Sequence, residues 1–217
     1  MPTRGGEHPG SFVRRVGVDS DRAASAASAT VLMAPGGAIL AAAFTPIDFR
    51  LAVVSSLPLT VIALVALLRL AGHSEVAGRA RAGLFGGAIG IVAYDAVRLA
   101  LQAVHLVQHP FAAITLYGQS LLPGASVGPT AGWIFHIWNG LAFALFFAVV
   151  IARPTVTKAI IWALLLDTLQ TLTIGEMPGI AVGQEFLTAS IVGHLAYGAT
   201  LGTIAPRLIS RTSTWRS

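Results

Sequence analysis

Two apolar stretches carry a histidine in the same frame of small residues. One reads Gly132-x3-His136-x3-Gly140-x3-Ala144, the other Ser190-x3-His194-x3-Gly198-x3-Gly202. In both, the residue before the central glycine is polar, Asn139 and Tyr197. Small residues one turn apart let helix backbones approach closely, so each histidine is expected on a packed face. A third stretch holds Asp95, Arg98, Gln102, His105 and His109 at steps of three and four, which puts all five on one helical face. Neutral imidazole and carboxylate are fitting ligands for zinc, iron or copper. The expected metal site uses His136 and His194 with Glu185 or Asp95. His105 is a further candidate, because its i, i+4 spacing to His109 lets two imidazoles share an ion. A metal-bound water would act on a lipid-like or apolar substrate. Asp95, Arg98, Asn139 and Tyr197 are the candidate catalytic groups, with Arg98 and Asn139 orienting an anion or a carbonyl.

Blander readings stand beside that one. Asp95 and Arg98 at i, i+3 can neutralise each other and hold helices together. A histidine on a packed face can be an interhelical hydrogen bond worth roughly 0.6–2 kcal/mol. The pair His136 and His194 also has the residue types of two axial haem ligands. Asp167, Gln170 and Thr171 share a face. Asp167 there is either a proton relay or a lone acid kept neutral by desolvation. A proton or anion path through this stripe would make the protein a carrier or channel. If the polar residues serve packing alone, it is a structural or assembly subunit.

These residues need helices in lipid to hold them. The 217 residues are 55% apolar and 11% charged, with a mean hydropathy of +0.76. A water-soluble domain carries about 25% charged residues, so the charges here are too few to clothe a water-facing surface. Lipid demands no such coat. The expected fold is an all-α polytopic bundle of six spans with both termini in the cytoplasm of a bacterial inner membrane. The spans run about 24–45, 51–71, 82–105, 131–152, 158–175 and 186–206, each near the ~20 residues that cross a bilayer. Residues 1–23 and 207–217 read as cytoplasmic tails. The first span is interrupted by Pro35, Gly36 and Gly37, and the alanines at 41–43 could suit a signal peptidase. The long tail before them favours an uncleaved helix.

Positive charge sets the orientation. Arg4, Arg14, Arg15, Arg22, Arg69, Arg79, Arg81, Arg153, Lys158, Arg207, Arg211 and Arg216 fall on one side, and Arg50 alone lies in an opposite loop. Trp133, Trp138 and Trp162 lie near span ends, as aromatic belts do. The 106–130 connection is long and has no acid or base apart from His109. Phe111, Ile114, Gly118, Leu121 and Leu122 recur there at helical spacing. An interfacial or re-entrant helix is expected, opened by Pro110 and closed by Pro123-Gly124. It is either a greasy loop resting on the bundle or a lid over the polar cluster.

Absences narrow the chemistry. There are no cysteines, so disulfides and thiolate sites are excluded. Net charge is +5 and the pI about 10.7, yet the bases sit in tails and short loops, which argues orientation rather than a nucleic-acid partner. No phosphate loop, His-Glu-x-x-His or Gly-x-Ser-x-Gly occurs. The strings Tyr94-Asp95-x-x-Arg98, Pro110-Phe111-Ala112-Ala113-Ile114, Phe135-His136-x-x-Asn139-Gly140 and Gly193-His194-x-x-Tyr197-Gly198 resemble a group of uncharacterised bacterial multi-pass membrane proteins over about residues 82–205. That resemblance implies a helical bundle and transfers no activity. The expected partners are membrane lipid and a hydrophobic small molecule.

Overall fold

The structure is a computed structural model and describes residues 23–70, 74–174 and 182–214. The amino-terminal arginines up to Arg22, the Glu176 and Met177-Pro178-Gly179 turn, and Arg216 lie outside the described residues. All regular structure among the described residues is helical. The helices are α1 (Ala23–Val31), α2 (Ala34–Phe44), α3 (Phe49–Leu70), α4 (Ser74–Ala103), α5 (Ala112–Leu121), α6 (Gly128–Val150), α7 (Val156–Ile174) and α8 (Gln184–Thr214).

The expected first span is two helices bent by 53°. Pro35 opens α2 at its first turn, where a missing N–H costs nothing. The break frees the Leu32 carbonyl, which accepts a hydrogen bond from Trp138 Nε1 at 3.2 Å. The 106–130 connection does contain a helix, α5, with Pro110 just ahead of its Phe111 cap. Gly124 beyond it adopts φ +72°, a left-handed turn suited to glycine.

Two boundaries differ from expectation. The helix expected over 82–105 begins at Ser74 and ends at Ala103. His105 takes φ 60°, its N–H bonds to the Gln102 carbonyl, and the Leu106 N–H reaches back to the Leu101 carbonyl. That is a Schellman stop with histidine where glycine is usual. At the other end, residues expected as a tail from 207 continue α8 to Thr214.

Among the described residues, three helices are long and apolar enough to cross a membrane by themselves, at Phe49–Leu67, Val76–Ala103 and Gly128–Val150, and the bent α1–α2 pair qualifies when taken as one. The chain is therefore a transmembrane helical protein. The helices α7 and α8 have the length, at 19 and 31 residues, but Lys158, Asp167 and Gln170 in one and Glu185, His194 and Arg207 in the other lower their apolarity.

Helix α4 is packed between α6 and α8. Helix α7 lies on α8, α5 on α6, and α2 on α3. The small-residue frames make these approaches. A Cβ at Gly87 would fall 2.5 Å from the Ala144 Cβ, and one at Gly202 would fall 2.5 Å from the Val156 Cα. The closest crossing is α5 on α6, where a Cβ on Gly118 would overlap the Gly128 carbonyl and one on Gly132 the Ile114 carbonyl. Arg79, at the start of α4, donates to the Ile151 carbonyl at 2.7 Å, and Lys158 donates to the Ala152 and Arg153 carbonyls. Cations thus gather at the bundle end opposite α5.

Candidate functional site

Counting residues from the α5 end brings four side chains to one level. Asp95 lies eight residues before the end of α4 and Asp167 seven before the end of α7; His136 lies eight into α6 and His194 ten into α8. At 1.5 Å per residue each is about 10–15 Å below that end. The histidines do not converge on one point. Each meets a carboxylate of the neighbouring helix. His136 Nε2 is 3.2 Å from Asp95 Oδ1, and His194 Nδ1 is 3.1 Å from Asp167 Oδ1.

The two pairs differ. His194 and Asp167 are both buried. His194 Nδ1 also lies 2.9 Å from the Ser190 carbonyl, and the Ser190 hydroxyl donates to Asp167 Oδ1. Both neighbours of Nδ1 are acceptors, so Nδ1 carries a hydrogen, and in the neutral ring the lone pair is on Nε2. Ser190 is tied to the acid rather than to the imidazole, which is not the arrangement of a serine nucleophile. The His136–Asp95 pair is half-buried; its two facing atoms lie close together but are sealed in without making a hydrogen bond.

Tyr94 stands between the two imidazoles, its ring centroid 5.5 Å from that of His136 and 5.0 Å from that of His194. Its hydroxyl accepts a hydrogen bond from Arg98 Nη1 at 2.8 Å. Arg98 is 4% exposed, and its Nε has no partner. The expected Asp95–Arg98 neutralisation does not occur, because Asp95 is beside His136 across the α4–α6 interface. Among the described residues Arg98 makes no ion pair.

These groups wall an apolar cavity of about 230 Å³. Arg98, His136, Asn139, Gln170, His194 and Tyr197 supply its polar lining. Ala113, Ile114 and Tyr117 of α5 close one side, and Gly36, Gly37 and Leu40 of α2 another. Gly37, which lines the cavity, is exposed, and a Cβ there meets nothing within 4 Å. Asn139 is buried with Oδ1 unpartnered, as is the Tyr117 hydroxyl. Burial pushes the Tyr117 phenol above its ordinary range. A second, more open cleft of about 450 Å³ lies outside α5, lined by Gln102, Gln108, His109, Phe111 and Gln119. The Phe111 ring separates the two spaces, with the Arg98 guanidinium carbon 5.4 Å from its centroid.

The remaining candidates lie elsewhere. Tyr197 lines the cavity, but its hydroxyl is committed to the Gly140 carbonyl at 2.6 Å. Glu185 is exposed at the mouth of α8, where it accepts the Gln108 backbone N–H at 3.2 Å. His105 and His109 are both exposed beyond the end of α4. The helix that was to align them stops first. Among the described residues no three His, Asp or Glu side chains come together as metal ligands. Sequence reasoning missed Tyr94 and Phe111 as site residues, and α2 as a wall. An aromatic beside Asp95, one turn before Arg98, was the available signal for Tyr94.

A family model described as a family of unknown function, DUF6789, matches residues 77–216. The matched segment contains both His–Asp pairs, Tyr94 and Arg98, while α1, α2 and α3 precede it. No curated protein and no solved structure matches the chain.

Proposed function

We propose that this chain, which belongs to the family of unknown function DUF6789, binds a lipid-like amphiphile inside the membrane and handles protons on it through its two His–Asp pairs. The observation that carries this reading is the cavity. It is apolar on most of its wall, yet holds a buried arginine without a carboxylate partner and two imidazoles, each backed by an acid. Buried polar groups that are not satisfied within a protein are costly. They are retained where a ligand or a reaction uses them. His194 is the proton acceptor, because Asp167 and Ser190 hold its Nδ1–H and leave Nε2 free. The ligand enters through the α2 mouth at Gly37.

The bundle we propose has six spans, the bent α1–α2 pair counting as one, with α5 outside and both termini in the cytoplasm of a cell membrane. The gathering of Arg79, Arg153 and Lys158 at the end opposite α5 supports that orientation. A proton pair is favoured over a metal centre, because no three His, Asp or Glu side chains come together among the described residues and neither Glu185 nor His105 lines the cavity. Haem is disfavoured by Tyr94, whose ring occupies the space between the two imidazoles.

The test is lipid extraction from purified protein, read by mass spectrometry, beside Gly37→Leu. Leucine at a helical glycine also favours the helix, so the variant folds. Wild type is expected to carry an amphiphile at a fixed ratio to protein, and Gly37→Leu to lack it. Matching extracts from the two proteins overturn the reading.

A further inference from the structure

The chemistry of the Arg98 surroundings narrows the class of ligand. The guanidinium is always charged, and it is 4% exposed. Neither nearby acid pairs with it among the described residues: Asp95 lies beside His136, and Asp167 beside His194 and Ser190. Aromatic rings cover its faces, with the guanidinium carbon 4.9 Å from the Tyr94 centroid and 5.4 Å from the Phe111 centroid. Those contacts supply part of the missing compensation. One N–H group of Nη1 is spent on the Tyr94 hydroxyl. Nε is unpartnered but sealed from the cavity, and Nη2 has no hydrogen bond among the described residues. Nη2 is therefore the group left to donate to an anion, and a charge-assisted hydrogen bond from it is roughly twice as strong as a neutral one.

We infer that the amphiphile's head group is a carboxylate, held by Nη2 of Arg98, with a short to medium hydrocarbon chain along the apolar wall. This rests on the reading of the cavity as a ligand site and adds the head-group chemistry. A single negative charge is specified, because Asp95 lies on the same helical face one turn away and repels a dianion. The volume of about 230 Å³ sets the chain length. It exceeds the roughly 150 Å³ of a benzene-holding cavity and falls short of the roughly 300 Å³ where drug-sized pockets begin.

The experiment uses the full chain in nanodiscs, with octanoate, octanol, octylamine and octyl phosphate as probes. Trp162, which lines the cavity, reports by fluorescence, corrected for uptake by empty nanodiscs. Octanoate is expected to bind about tenfold or more tighter than octanol, as a charge-assisted hydrogen bond gives, and octylamine weakest. Arg98→Gln is expected to erase the preference. Arg98→Lys keeps the charge without the planar guanidinium and is expected to fall between, which serves if the glutamine variant does not fold. Equal binding of octanoate and octanol to wild type, tighter binding of octyl phosphate, or a preference that survives both variants overturns the carboxylate and leaves the apolar site standing. Wild type that binds none of the four overturns the site itself.

Discussion

His194 holds its Nδ1 3.1 Å from the Asp167 carboxylate, across the α7–α8 interface, in a place where neither side chain meets surrounding solvent or lipid. The pair has a weaker counterpart in His136 and Asp95, which touch at 3.2 Å with side chains about a fifth exposed, at 19% and 22%. Burial and hydrogen bonding decide their worth. Removing one partner of a buried polar pair leaves the other unsatisfied, and that costs about 1–3 kcal/mol. The His136–Asp95 contact makes no hydrogen bond, so less is lost there, about 1 kcal/mol or less. Asp167→Ala should therefore destabilise the protein clearly more than Asp95→Ala. Unfolding by denaturant in mixed micelles measures both, and equal losses would contradict the asymmetry.

The α5–α6 crossing depends on two hydrogen atoms. A methyl group on Gly132 would overlap the Ile114 carbonyl, and one on Gly118 the Gly128 carbonyl. Backbone cannot yield as a flexible side chain does, so Gly132→Ala should cost about 1–3 kcal/mol through overpacking and push α5 off the bundle. Hydrogen exchange over 112–121 is the measurement. Faster exchange in that segment is expected, and unchanged protection would mean that α5 does not rest on α6 through these glycines.

Tyr197 separates a structural role from a chemical one. Its hydroxyl donates to the Gly140 carbonyl at 2.6 Å, joining α8 to α6 at the level of the two histidines. Replacing it by phenylalanine keeps the ring, against which Gly90 packs, and removes one interhelical hydrogen bond from a carbonyl inside α6. Tyr197→Phe should lower the unfolding free energy by about 0.5–1.5 kcal/mol. Full stability in this variant would mean that the hydroxyl is free to serve the ligand instead.

The contrast between His194 and His105 explains what a sequence reveals here. The frame around His194 is legible, because glycine and serine one turn apart have a single use in lipid, close packing, and any side chain in that row must face protein. Which acid the histidine meets is not legible, since it depends on how α7 and α8 turn about their axes. That turn is decided by contacts such as Gly198 against the Ala159 carbonyl. His105 fails for a different reason. The three-and-four rhythm runs on past the end of α4, and the stop is made by a histidine at φ 60° where a reader looks for glycine. Six apolar stretches are likewise visible along the chain, yet the bend after Val31 divides the first of them into two helices.

Orientation yields to the chain's own composition, because it has no cysteine and each engineered one is therefore a clean reporter. Ser126 sits in the exposed turn between α5 and α6, and Thr157 is exposed at the start of α7, at the opposite end of the bundle. Twelve of the fourteen lysines and arginines fall on the Thr157 side by sequence, and cationic loops are retained in the cytoplasm. In intact cells a membrane-impermeant maleimide should label Ser126→Cys and spare Thr157→Cys until the membrane is opened. Both substitutions lie away from the buried groups, so neither should disturb folding. Labelling of Thr157→Cys alone in closed cells would invert the protein in its membrane. The Gly37 mouth and the His–Asp pairs would then lie nearer the cytoplasmic face, and the ligand would have to come from the inner leaflet.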